Sequence, residues 1–179
     1  MTAAAPTIQS THRGTRVATV VALVGYLGCI IGANAALQKW GMVEVLGTML
    51  PAGVWFAGAS FTMRDILDDL GGRTWVLAGI LIGGAVSYRF APDFARASAA
   101  AFLVAETFDW LVYRPLRERK WWAAVVLSNV VGSTVDSLLF LWLAFSSVTG
   151  WFPLTVAKAV VTIPFLPLIW WWRRSKQRD

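Results

Sequence analysis

Apolar residues run along this chain in long blocks that are punctuated by charge, glycine and proline. A helix that crosses a bilayer needs about 20 mostly apolar residues, and six blocks approach that length, at roughly 17–38, 43–63, 74–90, 94–113, 121–145 and 153–172. The pattern predicts an all-α fold, a polytopic membrane protein with six transmembrane helices in a compact bundle and very short connections. On that reading residues 1–16 are a disordered cytoplasmic leader, 17–172 form the six-helix transmembrane domain and 173–179 are a basic cytoplasmic tail.

Composition agrees with the pattern. A chain of 179 residues with 57% hydrophobic and only 15% charged residues is too apolar for a soluble domain of that size, so lipid is the expected solvent. A secretory signal is followed by a soluble mature domain, whereas the first block here leads into five more, so it is expected to be a retained helix. The single Cys29 cannot form an internal disulfide, and the single His12 lies in the polar leader. Redox and zinc chemistry are therefore not expected, and no metal or cofactor is assigned.

The net charge of +6 raises nucleic acid as a partner, but the placement of the charges argues for a membrane. With the N-terminus inside, the cytoplasmic segments collect Arg13, Arg16, Arg64, Arg73, Arg114, Arg117, Arg119, Lys120 and the basic tail. The other side receives Lys39, Arg89 and Arg96, with Lys158 inside the last span. That is the positive-inside asymmetry, which puts both termini in the cytoplasm. The expected partners are the lipid bilayer and a small-molecule substrate, with no nucleic acid.

Some features inside the spans have ordinary packing explanations. Ala18, Ala22, Gly25, Cys29, Gly32 and Ala36 form a small-residue stripe suited to close helix approach, within the bundle or against a partner protein. Pro51, Pro164 and Pro167 are expected to bend or interrupt their helices. Trp75, Trp121, Trp122 and the run from Trp170 to Trp172 sit at predicted cytoplasmic ends, as headgroup anchors do, while Trp55 and Trp110 lie deeper.

Polar groups are harder to account for. Ionisable residues within spans are costly and usually face a bundle interior. Asn129, Ser133 and Asp136 are spaced i, i+4, i+7, with Gly132 beside them, so they share one stripe of the fifth span. Glu106 and Asp109 share a face of the fourth, extended by Tyr113, and Asn34 and Gln38 share one near the outer end of the first. At about 1.5 Å per residue, Glu106 and Asn129 fall near the midplane, while Asp136 and Lys158 lie further out, where they could pair. Asp65 and Asp68 are expected at the cytoplasmic edge, neutralised by Arg64 and Arg73. A cavity between the fourth and fifth helices, closed by the first and sixth, would gather the central groups. A carboxylate offers two coplanar acceptors to adjacent N–H groups of a guanine-like ring. Asn129 or Arg96 would meet a ring carbonyl, and Trp110 or Phe102 would stack on the ring face.

The stretches "RASAAAFLVAETFDWLVYRPLR", "LSNVVGSTVDSLLFLWLAF" and, upstream, "FTMRDILDDLGG" resemble the queuosine precursor transporters, also called the vitamin uptake transporter family. Their architecture is similar to the S-components of energy-coupling-factor (ECF) importers. The resemblance covers roughly residues 57–145. It implies a six-helix importer of the bacterial inner membrane, carrying the 7-cyano or 7-aminomethyl 7-deazaguanine precursors of queuosine. By motif match Arg96, Glu106, Asp109, Asn129, Ser133 and Asp136 form the implied substrate site, joined by Asn34, Asp65 and the stacking candidate Trp110. The chain departs from the family in its short loops and in "DDLGG", where typical members carry Glu and Tyr before the glycine.

No P-loop is present, so ATP would have to act through a partner. The alternative to a self-sufficient carrier is thus an S-component bound to an ECF-type energising partner; self-association into a homo-oligomer is the other protein contact considered. An intramembrane hydrolase built on Ser133 would need a base, and the spans contain no histidine to serve as one, so no enzymatic activity is expected.

Overall fold

The computed structural model describes residues 8–89, 91–116, 118–165 and 167. The order is α1 (Ile8–Trp40), a hairpin of β1 (Met42–Val45) and β2 (Thr48–Pro51), α2 (Val54–Gly71), α3 (Arg73–Tyr88), α4 (Pro92–Leu116), α5 (Trp121–Phe145), α6 (Trp151–Thr162) and a short 3-10 turn (Ile163–Phe165). The helices close a ring, α1 against α3, then α4, α5, α6 and α2, which returns to α1. Six helices are therefore present among the described residues.

The main departure from the expected spans is at 43–63. Residues 42–51 are the antiparallel hairpin, with Met42 opposite Pro51 and Val45 opposite Thr48. The two loop residues, Leu46 and Gly47, have φ of 49° and 77°, the mirror-image turn that fits strand twist. Gly47 weakens a helix and Pro51 removes a backbone donor, while "MVEV" alternates in the manner of a strand. The second helix therefore begins at Val54. Leu50 is buried with Val54, Leu141 and Leu154, which ties the hairpin down over one end of the ring.

The other boundaries are closer. α1 starts at Ile8, so helix extends into the segment read as a leader, and residues 1–7 lie outside the described set. α6 ends at Thr162 and tightens into the 3-10 turn holding Pro164, the expected interruption. Trp170 to Trp172 and the tail 173–179 fall outside the described residues.

The small-residue stripe of α1 packs inside the ring. Ala22 and Ala36 are buried, and β-carbons built on Gly25 and Gly32 would meet Met63 and Phe56 of α2. Close approach recurs where α2 meets α6: a β-carbon on Gly58 would stand 2.9 Å from the Lys158 carbonyl oxygen. Small residues at such crossings let membrane helices gain dispersion contact where lipid offers no hydrophobic drive.

The molecule is inside out relative to a soluble protein. Val21 and Leu81 are each 65% exposed, and Leu111 and Trp142 are nearly as bare, whereas Arg64, Asp109 and Lys158 are at most 3% exposed. Among the described residues two helical segments, Arg16–Trp40 and Trp122–Phe145, are long and apolar enough to cross a membrane; Arg73–Tyr88 and Trp151–Thr162 are apolar but shorter.

Candidate functional site

Two groups of buried polar side chains lie inside the ring, at different levels along it. Nearer the hairpin, α5 supplies Asp136 and α6 supplies Lys158, whose Nζ is 2.6 Å from Asp136 Oδ2 and 3.1 Å from Ser137 Oγ. Gly58 allows α6 to approach α2 closely enough to hold Lys158 inward. The Lys158 ammonium is thus satisfied by Asp136 and Ser137 inside the ring and does not reach for the surface. Asp136 and Lys158 line a cavity of about 40 Å³ together with Asn34, Pro51, Ser98 and Phe140. A second space of about 30 Å³ adjoins it, sharing Asn34, Ser98 and Asp136 and adding Ser60 and Phe102. Asn34 donates to the Ile30 carbonyl at 3.0 Å and to Ser87 Oγ at 3.4 Å, so its amide is fixed by α1 and α3. These volumes suit waters.

Deeper in the ring stands Arg64. Its guanidinium contacts Asp65 Oδ1 at 3.1 Å and Glu106 Oε1 at 3.3 Å, and it pairs most closely with Asp109. All four side chains are buried. One guanidinium faces three carboxyl groups, so the cluster is net negative whenever all three are ionised. Asp65 Oδ2, Glu106 Oε2 and Asp109 Oδ1 have no hydrogen-bond partner among the described residues. Gly132 of α5 completes the wall, since a β-carbon there would stand 3.1 Å from Asp109 Cβ. This explains the glycine within the polar stripe.

The expected site residues thus divide. Asn34 and Asp136 meet at the cavity, while Asp65, Glu106 and Asp109 meet around Arg64. Ser133 is buried, but its hydroxyl donates to the Val130 carbonyl at 3.2 Å. Asn129 is buried with both amide atoms unpartnered, and it lines an apolar groove between α5 and α6 rather than the cavity.

Arg96 does not join either group. Its side chain is 69% exposed, 3.6 Å from Asp93 and over the Tyr88 ring. It lies two residues from Ser98, about 200° around α4, so a helix that turns Ser98 inward must turn Arg96 out. Trp110 is also displaced from the cavity, because its ring is flanked by Arg73 at 4.5 Å and Arg114 at 4.9 Å. Trp55 is 46% exposed.

The sequence pattern places Arg64 at a cytoplasmic end, where it would merely neutralise Asp65 and Asp68. The shift of α2 to Val54–Gly71 carries it to mid-helix instead. The recoverable signal is the break at Gly47 and Pro51; with the helix started after it, Phe61, Arg64, Asp65 and Asp68 fall on adjoining turns.

Residues 85–172 match the family model described as "Putative vitamin uptake transporter", a stretch that includes α4, α5 and α6 with Glu106, Asp109, Asp136 and Lys158. Comparisons with curated proteins and with solved structures give no match. An apolar exterior, a charged interior and this match together make the chain a membrane protein that is similar, over residues 85–172, to a transporter family.

Proposed function

We propose that the chain is a multi-pass carrier of the bacterial inner membrane that imports a small, flat heterocycle, with 7-cyano- and 7-aminomethyl-7-deazaguanine as the favoured substrates. The observation that carries this reading is the convergence of charges from α2, α4, α5 and α6 inside a ring whose outer surface is apolar. Intramembrane charges that are paired and inward-facing mark a substrate or ion pathway. In the cavity Asp136 supplies acceptors, Lys158 a cation, and Asn34, Ser60 and Ser98 neutral donors and acceptors, a set that matches a ring bearing both N–H and carbonyl groups.

Both termini are assigned to the cytoplasm. Arg73, Arg114, Arg119 and Lys120 gather at the end of the ring opposite the hairpin, consistent with the positive-inside asymmetry. The hairpin end then faces outward and the cavity is the outer station. The small stripe of α1 is largely engaged by α2, so it does not favour a docked energising subunit.

A thermal-shift screen of the purified protein against guanine, the two deazaguanines and common vitamins tests the substrate class. The deazaguanines should raise the melting temperature more than the vitamins do. Stabilisation by a vitamin alone would replace the proposed substrate.

A further inference from the structure

The cavity and the Arg64 cluster are separated by three rings. Phe102 of α4 lines the cavity side, next to Ser60 and Asp136. Phe61 of α2 lies behind it, with ring centroids 5.1 Å apart. Tyr26 of α1 closes the flank, 6.1 Å from Phe102. On the far side, the β-carbon position of Gly132 is 3.4 Å from Phe61 and 3.1 Å from Asp109, which seats Phe61 beside the acid cluster. Helical spacing gives the same order: Ser98, Phe102 and Glu106 succeed one another by four residues on α4, and Ala57, Phe61 and Asp65 do so on α2. Each helix therefore reads cavity, ring, acid. The rings belong to one buried cluster with Ile80 and Leu67, so the layer is packed across the ring of helices.

We propose that Phe102, backed by Phe61 and Tyr26, is an internal gate dividing the path into two stations, the outer cavity at Asp136 and Lys158 and an inner station at the Arg64 cluster. This rests on the carrier reading, and it adds a physical sequence to it. A flat ring in the outer station lies against the Phe102 face, where stacking is favourable. Displacement of Phe102 from its packing against Phe61 and Tyr26 opens the way from the cavity toward the Arg64 cluster, where unpartnered oxygens of Glu106 and Asp109 then receive the N–H groups of the arriving ring. Trp110 cannot take this part, since guanidinium groups lie against its ring.

Thiol accessibility tests the gate without any substrate. In a Cys29→Ser background, Ser98→Cys reports the outer station and Glu106→Cys or Asp65→Cys the inner one. A membrane-impermeant maleimide is added to sealed vesicles with the hairpin end outward. The inner cysteines should label at least about tenfold more slowly than the outer one, because labelling tracks the open population. Phe102→Ala should remove most of that difference. Phe102→Leu serves as a second variant if the alanine form does not fold, and should give a smaller shift in the same direction. Equal labelling of both stations with Phe102 in place would overturn the gate, as would an unchanged ratio in a folded Phe102 variant. Loss of deazaguanine binding in the thermal screen would overturn the carrier reading alone, since the labelling ratio involves no ligand.

Discussion

Lys158 Nζ lies 2.6 Å from Asp136 Oδ2, and both side chains are almost fully buried, so α5 and α6 are joined by a buried ion pair. Removing one partner leaves an uncompensated charge in a low-dielectric interior, which costs about 3–5 kcal/mol. Lys158→Met and Asp136→Asn should each lower the melting temperature sharply. The double variant leaves no unpaired charge and should be more stable than either single one. A double-mutant cycle in detergent measures this, and simple additivity would show that the pair is not coupled.

Arg64 presents a more severe case, because three carboxyl groups depend on it. Arg64→Met should destabilise the protein by at least about 3–5 kcal/mol. Arg64→Lys keeps the charge but loses the planar fork that reaches several acids at once, so it should recover only part of the stability. Chemical denaturation of the two variants distinguishes these outcomes.

Gly58 sets the distance between α2 and α6. Gly58→Ala would place a methyl 2.9 Å from the Lys158 carbonyl oxygen and 2.8 Å from Val161 Cβ, forcing the helices apart. The expected cost is about 1–3 kcal/mol. Gly28 has open space at its β-carbon position, so Gly28→Ala should be neutral or stabilising by up to about 1 kcal/mol through helix propensity. Paired thermal melts check both.

Arg96 should be dispensable. It is exposed, and its pairing with Asp93 is a surface contact of the kind worth about 0–1 kcal/mol. Arg96→Ala should leave melting temperature and substrate binding essentially unchanged. Loss of binding in a folded Arg96→Ala protein would return this residue to the site.

How far these features were legible depends on the kind of signal each residue gives. α5 was read to the residue, because Trp121–Phe145 is a continuous apolar run bounded by Lys120 and polar turns. Depth along the helices brings Asp136 and Lys158 to a level where they could pair, and the structure pairs them. The hairpin is hidden from hydropathy, which averages over "MVEVLGTMLP" and registers only apolar content, whereas Gly47 and Pro51 decide the backbone. A span placed at 43–63 puts Arg64 at a membrane edge, whereas α2 at Val54–Gly71 carries it to mid-helix, where Asp65, Glu106 and Asp109 assemble around it. Arg96 enters the expected site by motif match and Trp110 as a stacking candidate, each for the chemistry it could offer to a ligand. Their direction is fixed by helical phase against Ser98 and by the neighbouring Arg73 and Arg114, neither of which composition reveals.

The central claim is that the buried charges form a transport site for a small heterocycle. It is tested most directly by uptake of radiolabelled 7-cyano-7-deazaguanine into vesicles containing the purified protein, compared with the Asp136→Asn/Lys158→Met double variant. Saturable uptake by the native chain that is lost in the folded double variant is the predicted result. Absence of uptake and binding by the native chain, or equal uptake by both proteins, would contradict it.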